Sequence, residues 1–209
     1  MKALNWIATV VATASVIFTG CKSDDEATLS AAEIEAAQTT LNGDIVVSAH
    51  AWINGEDKTL LSSGAPIKLN FEKSDGDKMN VWMDAIQIGS MPFTVYFGIV
   101  IEFAPLNSWE KGELTGEGWV RFSGSHGNIS YGAKPSSPVD TTTEGDGSTM
   151  AGYVNTKTNE IQFTTSFTAM NVEISADRQD IDPSRVENYE AEKEQYEKDL
   201  EEYKKTHNQ

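Results

Sequence analysis

Apolar and polar residues alternate along most of the chain, and this period of two is typical of β-strands with one buried face. The longest alternating run extends from Phe93 to Phe103, with aromatic and aliphatic residues at every second position. At about 3.3 Å per residue the run would be roughly 35 Å long, which suits a tilted barrel strand better than a sandwich strand. Shorter runs of the same kind begin at Ile45, Ile67, Val81, Val120, Ile161 and Val172.

A turn signal and a change of phase refine this pattern. Asn54-Gly55 follows the first run and predicts a two-residue hairpin turn, because both residue types tolerate positive φ. The alternation changes phase between Ala85 and Ile86, which predicts a β-bulge. About eight such runs without long helices between them predict a mainly β, antiparallel meander. We expect it to close into a barrel, because closure removes exposed strand edges; a β-sandwich is the alternative.

Helical signals flank the meander on both sides. Ser30 and Glu33 have the spacing of a capping box, which predicts a short N-terminal helix. Asp182 followed by Pro183 marks another helix start, because Pro is favoured at the first helical position. Residues 183–209 are rich in Glu and Lys and predict a long charged C-terminal helix.

Large aromatic residues lie outside the apolar alternation. If the alternating positions line the core, four rings point outwards, namely Trp52, Trp82, Tyr96 and Trp119. The C-terminal helix carries a stripe of tyrosines at Tyr189, Tyr196 and Tyr203. The outward rings form an open platform for a sugar or a partner, or the tyrosine stripe covers them. In a third arrangement the helix projects outwards and pairs with another chain.

The start of the chain has the pattern of a secretory leader that ends in the only cysteine. An uncharged stretch from Ala3 to Gly20 follows Lys2, and small residues precede Cys21. This pattern resembles a bacterial lipoprotein signal, which implies cleavage before Cys21 and lipidation of that residue, palmitate being one acyl group of this kind. The alternative is a transmembrane anchor, since the uncharged run is just long enough to cross a bilayer.

The residues after Cys21 bear on location and domain organisation. Residues 22–26, Lys-Ser-Asp-Asp-Glu, resemble an export tag that sends lipoproteins of one Gram-negative phylum to the cell surface. We therefore predict an outer-membrane protein that is held by its lipid and faces the exterior, with the periplasmic face as the alternative. The predicted divisions are a signal peptide (1–20), an acidic tether (21–29), a barrel domain (30–182) and the charged helix (183–209).

A lipidated chain with a meander from about Leu41 to Asp177 resembles the calycin-like, or lipocalin-like, surface lipoproteins of Gram-negative bacteria. The resemblance implies a calycin-like barrel and brings no assigned activity with it. The Gly-x-Trp signature of lipocalins is missing where Leu41 and Asn42 lead through Gly43 into the first strand. No ligand-binding residue is therefore carried over, and the ligand site stays unknown.

Charge and ligand chemistry narrow the partners. With 32 acidic against 16 basic residues, the net charge of −16 repels phosphate backbones and excludes nucleic acid as an expected partner. The spacing of Asp177, Asp180 and Asp182 is the nearest approach to a calcium site, but these residues lie where a strand passes into a helix cap. We predict no metal site and no cofactor.

The candidates for catalysis are few. His50 lies mid-strand, and His126 lies in a turn-like Gly-Ser-His-Gly segment. Glu102 and Glu173 are strand carboxylates that would have to face each other across a sugar to act as a glycosidase pair. Nothing in the spacing brings them together, and we predict no catalytic residue and no enzyme.

These observations predict a lipid-anchored, non-enzymatic binding or adaptor module. Its expected partners are the membrane through the lipid, a small apolar ligand or glycan, or another envelope protein. The alternatives are a glycan-acting hydrolase, with two facing carboxyl groups in a cleft, and a structural envelope protein with a filled barrel. A filled interior together with a docked helix would argue against the binding module.

Overall fold

A computed structural model describes residues 28–145 and 147–207, so Cys21 and the predicted leader before it lie outside the described residues. The strands are β1 (Gly43–Ile53), β2 (Glu56–Asp57), β3 (Ala65–Lys73), β4 (Lys78–Ile86), β5 (Val95–Ala104), β6 (Trp119–Tyr131), β7 (Ser148–Asn155), β8 (Glu160–Phe167) and β9 (Val172–Asp180). The helices are α1 (Ala31–Leu41), α2 (Glu110–Glu113), α3 (Pro183–Glu187) and α4 (Tyr189–His207), with a 3₁₀ turn at Thr168–Met170.

Eight of the strands form a closed antiparallel barrel, which confirms the predicted fold class. From β3 onwards each strand pairs with the next along the chain, and β1 pairs with β3 on one side and β9 on the other. The two-residue strand β2 only extends the hairpin that follows β1. The β1–β9 pairing leaves no open edge among the eight, as the predicted closure requires.

Both local predictions within the meander are confirmed. Asn54 and Gly55 have φ values of 53° and 78° and join Ile53 to its partner Glu56, so the hairpin turn is formed by these two residues. The pairing of β4 with β5 changes register between Met83 and Ile86, which is the predicted bulge.

Helix α1 packs against the end of the barrel where the β3–β4 and β7–β8 turns lie. The capping box is formed: Ser30 N–H donates to Glu33 Oε2 at 2.8 Å, and Glu33 N–H donates to Ser30 Oγ at 3.3 Å. Gln38 Nε2 donates to the carbonyl of Gly76 at 3.1 Å, while Leu41 is fully buried in the core. These contacts fix α1 to the β3–β4 turn.

The predicted C-terminal helix is present but interrupted. Asp182 accepts a hydrogen bond from Ser184 N–H at 2.9 Å, and Pro183 is the first helical residue, as expected. Asn188 then leaves helical geometry at φ −96° and ψ 5° and separates α3 from α4. Its side-chain Nδ2 donates to the carbonyl of Ser184 at 2.9 Å, and that carbonyl also accepts the Asn188 N–H at 3.1 Å. Helix α3 packs against β1 and α4 against β3.

Candidate functional site

The interior of the barrel is filled by its own side chains. Phe71, Phe97, Phe122 and Phe167 are each exposed by no more than 1%, which leaves no water-sized space against their rings. Phe97 and Phe167 meet edge-on with ring centroids 5.1 Å apart, a favourable aromatic geometry. This interior has the packing of a protein core, so it does not offer the lined cavity expected of an apolar-ligand carrier.

Two polar side chains inside this core are left without a hydrogen bond in the described part of the chain. Ser148 and Thr165 are fully buried on the neighbouring strands β7 and β8, and their hydroxyl oxygens have no hydrogen-bond partner among the described residues. Thr165 pairs in register with the buried Met150, and Ser148 lies two residues before Met150 on the same face of β7. Both hydroxyls are therefore on the inward face. Unpartnered buried hydroxyls reduce stability, so they mark a weakness of the core.

Three of the four outward aromatic rings are covered by other parts of the same chain. Trp82 Nε1 donates to the carbonyl of Val139 at 2.8 Å, so the β6–β7 connection lies over this ring. The guanidinium of Arg178 lies 4.9 Å from the centroid of Trp119, which is 7% exposed. Tyr96 is 5% exposed. The expectation of an open aromatic platform formed by these rings is therefore wrong; the fourth ring, Trp52, is half-buried and lies 6.1 Å from the ring of His50.

The tyrosine stripe of α4 docks on the barrel, as predicted for one arrangement, but of the four outward rings it is Tyr96 that lines the same space as the stripe, whereas Trp82 and Trp119 are covered by other segments. Tyr196 Oη accepts a hydrogen bond from Gly89 N–H at 2.8 Å, and Lys204 Nζ donates to the Gly89 carbonyl at 3.1 Å. The ammonium of Lys68 lies 5.1 Å from the centroid of the Tyr189 ring. These contacts hold both halves of α4 against the connection after β4 and against β3.

Tyr203 behaves differently from the other two tyrosines. Its ring stacks on His207 of the same helix, with centroids 4.0 Å apart and an interplanar angle of 15°. The stripe therefore makes its contacts with the barrel through Tyr189 and Tyr196, and the spacing alone did not separate these roles.

A cleft of about 350 Å³ lies between α4 and the outer wall formed by β3, β4 and β5; we call it the helix cleft. Its volume is at the lower end of the range for small-ligand sites, about 300–1,000 Å³. Three tyrosine side chains line it, namely Tyr96, Tyr189 and Tyr196. Its polar lining comes from Asp84, Gln87, Thr94, Lys193, Glu197 and Lys204.

The charged groups of the helix cleft are largely uncommitted. Asp84, Lys193 and Glu197 form no ion pair or side-chain hydrogen bond within the described residues. Burial raises the pKa of Tyr189, and the nearby carboxylates of Glu190, Asp84 and Glu197 add to that rise. Burial also raises the pKa of Tyr196. Both tyrosines are therefore neutral hydroxyl donors at ordinary pH.

A bulge in β4 shapes one wall of the helix cleft. Asp84 and Ala85 are both exposed, whereas Met83 and Ile86 on either side are buried. An unbroken strand would turn one of two consecutive residues inwards, so the extra residue is what places both on the outer wall. Ala85 has a left-handed φ of 54°, which is unfavourable for a residue with a Cβ.

A second cleft of about 270 Å³ lies on the other side of Tyr196, beside β1. Its charged groups are already bound by this chain: Arg185 pairs with Glu192 at 2.8 Å and donates to Ser48 Oγ at 3.3 Å, and Asp199 accepts from Gln195 Nε2 at 2.8 Å. Arg185 also donates to Gln179 Oε1 at 3.2 Å. These contacts fasten α3 and α4 to the barrel, so this cleft has less to offer a ligand than the helix cleft.

A buried carboxylate lies on the outer wall near the β5–β6 connection. Glu110 is 5% exposed and accepts hydrogen bonds from Tyr153 Oη at 2.9 Å and Asn107 N–H at 2.6 Å, with Arg121 at 3.5 Å. Burial, followed by the bond to Glu110, raises the pKa of Tyr153 to about 12. Both carboxylate oxygens are engaged by groups of this chain, so the cluster fastens the connection to β6 and β7.

The residues weighed for catalysis do not assemble. Glu102 lies near the end of β5 and pairs with Lys78 at 2.7 Å, whereas Glu173 lies at the start of β9. Both strands run in the same direction, so the two carboxylates are at opposite ends of the barrel. His50 lies 6.1 Å from Trp52 between ring centroids, and His126 is exposed in β6.

The acidic residues weighed for calcium do not form a site either. Asp182 is used as the cap of α3, and Asp177 and Asp180 are exposed at the end of β9. Across the described residues, no group of three or more His, Cys, Asp or Glu side chains is placed to hold a metal ion. None of the helices within residues 28–145 and 147–207 is long and apolar enough to cross a membrane.

Comparison with known proteins identifies the family of this chain. Neither a curated protein nor a solved structure matches the chain. One family model, described as a domain of unknown function (DUF4903), matches residues 21–208. Because this match covers nearly the whole chain from Cys21 onwards, the chain belongs to the DUF4903 family.

Proposed function

We propose that this protein is a lipid-anchored envelope protein that acts as a non-enzymatic binding or adaptor module through the outer wall of its barrel. The observation that carries the proposal is the contrast between the interior and the wall. The interior is packed with phenylalanine rings, whereas the helix cleft combines tyrosine rings with uncommitted charged groups. A ligand or partner would therefore bind beneath α4.

The filled core argues against one of the expected partners, the small apolar ligand. A small apolar ligand would need apolar space, and the inward phenylalanines occupy that space. The helix cleft is a poor substitute for such a ligand, because charged and polar groups contribute much of its lining. A glycan or an envelope protein fits the outer wall better.

The anchor is a separate part of the proposal and rests on Cys21. The family match begins at this residue, which is where the predicted mature chain begins. With a lipid on Cys21, wild-type protein should incorporate labelled palmitate and sediment with outer membranes. A Cys21→Ala variant should lose the label and appear in the soluble fraction. Membrane association of the unlabelled variant would contradict a lipid anchor and favour a spanning leader.

Surface exposure is tested on intact cells. Protease added from outside should remove wild-type protein if the acidic residues 22–26 direct it outwards. Replacing Asp24, Asp25 and Glu26 by Asn, Asn and Gln should protect it, while palmitate labelling at Cys21 is unchanged. Protection of the wild type would place the barrel on the periplasmic face.

A structural envelope role is the second candidate, and the filled core favours it. The ion pair of Arg185 with Glu192 and the hydrogen bond from Arg185 to Gln179 fasten the C-terminal helices, as a structural part requires. This role predicts that substitutions of Asp84 and Glu197 in the helix cleft have no effect on any binding measurement. The binding module predicts the opposite, so the two candidates are separable.

A further inference from the structure

We propose that the helix cleft binds a neutral saccharide, an inference that rests on the proposed binding function and names its ligand class. The first argument is the aromatic wall. Tyr189 is half-buried and gives the helix cleft an aromatic side, while Tyr96 and Tyr196, which are 5% and 9% exposed, form the floor beside it. The electron-rich face of a tyrosine ring attracts the slightly positive C–H groups on the flat side of a sugar ring.

The second argument is the balance of charge. Two carboxylates, Asp84 and Glu197, and two ammonium groups, Lys193 and Lys204, line the helix cleft. An anionic ligand would face the carboxylates, and a cationic ligand would face the ammonium groups, so neither sign gains a net attraction. A neutral ligand with many hydroxyls can donate to the carboxylates and accept from the ammonium groups at the same time.

The third argument is the local construction of the wall. The β4 bulge turns Asp84 and Ala85 to the outside together, and it does so at the energetic cost of a left-handed alanine. Both residues line the helix cleft, and the carboxylate of Asp84 has no partner within the described part of the chain. A sugar hydroxyl pair would supply the missing partner.

The test uses the full chain purified in a detergent without a sugar head group, so that the detergent does not compete. An array of neutral oligosaccharides identifies the probe, and calorimetric titration with the best neutral oligosaccharide then gives Kd. Asp84→Asn removes one charge without changing shape and should weaken binding about tenfold, because charge-assisted hydrogen bonds are the strong ones. Tyr189→Ala should weaken it by a similar factor by removing ring surface.

Matched controls lie away from the helix cleft. Asp75→Asn changes an exposed carboxylate in the β3–β4 turn, and Tyr131→Ala removes a ring that is 64% exposed at the end of β6. Both should leave Kd unchanged. Thermal unfolding of each variant shows whether the barrel is intact, and Asp84→Asn keeps the test valid if Tyr189→Ala does not fold.

Several results would overturn the saccharide proposal. These are absence of binding to every neutral oligosaccharide, tighter binding of spermidine or a sulfated disaccharide than of any neutral sugar, or equal weakening by the control variants. The anchor is tested separately, since palmitate labelling and fractionation do not depend on Asp84. A protein that binds sugar without a lipid, or carries a lipid without binding sugar, therefore contradicts only one of the two proposals.

Discussion

Ala85 holds a left-handed φ of 54° inside β4, where glycine would be the usual residue. Ala85→Gly should therefore raise the free energy of unfolding by about 0.5–1 kcal/mol, the relief of strain being partly offset by the greater freedom of glycine in the unfolded chain. Urea unfolding measures the change. Ala151→Gly is the matched control, because Ala151 is an exposed strand alanine, and we expect it to lose a similar amount. Destabilisation by both variants would mean that the bulge does not strain Ala85.

Tyr153 gives a prediction about alkaline pH. Burial and the bond to Glu110 raise its pKa from 10.0 to about 12. The folded chain thus holds this proton more tightly, so the stabilisation is complete below pH 10 and is lost as the pH rises towards about 12. Tyr153→Phe should reduce the loss of unfolding free energy between pH 10 and 12, as measured by urea unfolding across that range.

The exposed Tyr131 supplies the control for this pH dependence. Tyr131→Phe should leave the alkaline slope of stability as it is in the wild type, because this side chain is 64% exposed. If Tyr153→Phe and Tyr131→Phe gave the same slope as the wild type, the raised pKa of Tyr153 would not contribute to folding.

The main residues of the candidate site could not be identified from the sequence, because their roles depend on contacts between distant segments. Asp84 reads as an ordinary polar strand position, and its role depends on α4 passing over it. Glu110 and Tyr153 meet although they are far apart along the chain, and no short motif encodes such a contact. The phase change at Ala85 did predict the bulge, because alternation records which face each side chain takes.

Helix α4 packs over the outer wall of the barrel and forms one side of the helix cleft. Its central anchor is Tyr196, whose hydroxyl accepts the buried N–H of Gly89. Tyr196→Phe leaves that N–H without a partner and should cost about 1–3 kcal/mol of unfolding free energy. Hydrogen exchange at Gly89 should become faster at the same time.

Tyr203 on the same helix is the control for this substitution. Its ring stacks on His207 rather than on the barrel, so Tyr203→Phe should change stability by less than about 0.5 kcal/mol. Equal effects of Tyr196→Phe and Tyr203→Phe would show that helix docking does not depend on the bond to Gly89.

The elements themselves were predictable because each has a local cause. Alternation predicts the strands, the capping box predicts α1, and Pro183 after Asp182 predicts the start of α3. The break at Asn188 was not predicted, because residues with good helix propensity continue on its C-terminal side. The tyrosine spacing indicates that α4 packs against something, but it does not identify the surface.

At the scale of the whole molecule, the alternating pattern is the same for a hollow and a filled barrel, because both need apolar residues on the inner face. A filled barrel differs from a hollow one in the total volume of its inward side chains relative to the space that the strands enclose. That space depends on strand tilt and register. Here four buried phenylalanines, with methionines and branched aliphatic residues between them, fill the space. The barrel therefore serves as a rigid support for the surfaces outside it.

A substitution that opens a cavity in the core tests whether the barrel is filled. Phe97 is fully buried and packs on Phe167, so Phe97→Ala should cost about 3–5 kcal/mol of unfolding free energy. The void should be dry and apolar, and benzene should therefore raise the melting temperature of the variant. Benzene should leave the wild type unchanged, since its phenylalanines already occupy the volume. An equal rise in the wild type would mean that the native barrel has room for an apolar guest, and the ligand site would then have to be sought inside the barrel.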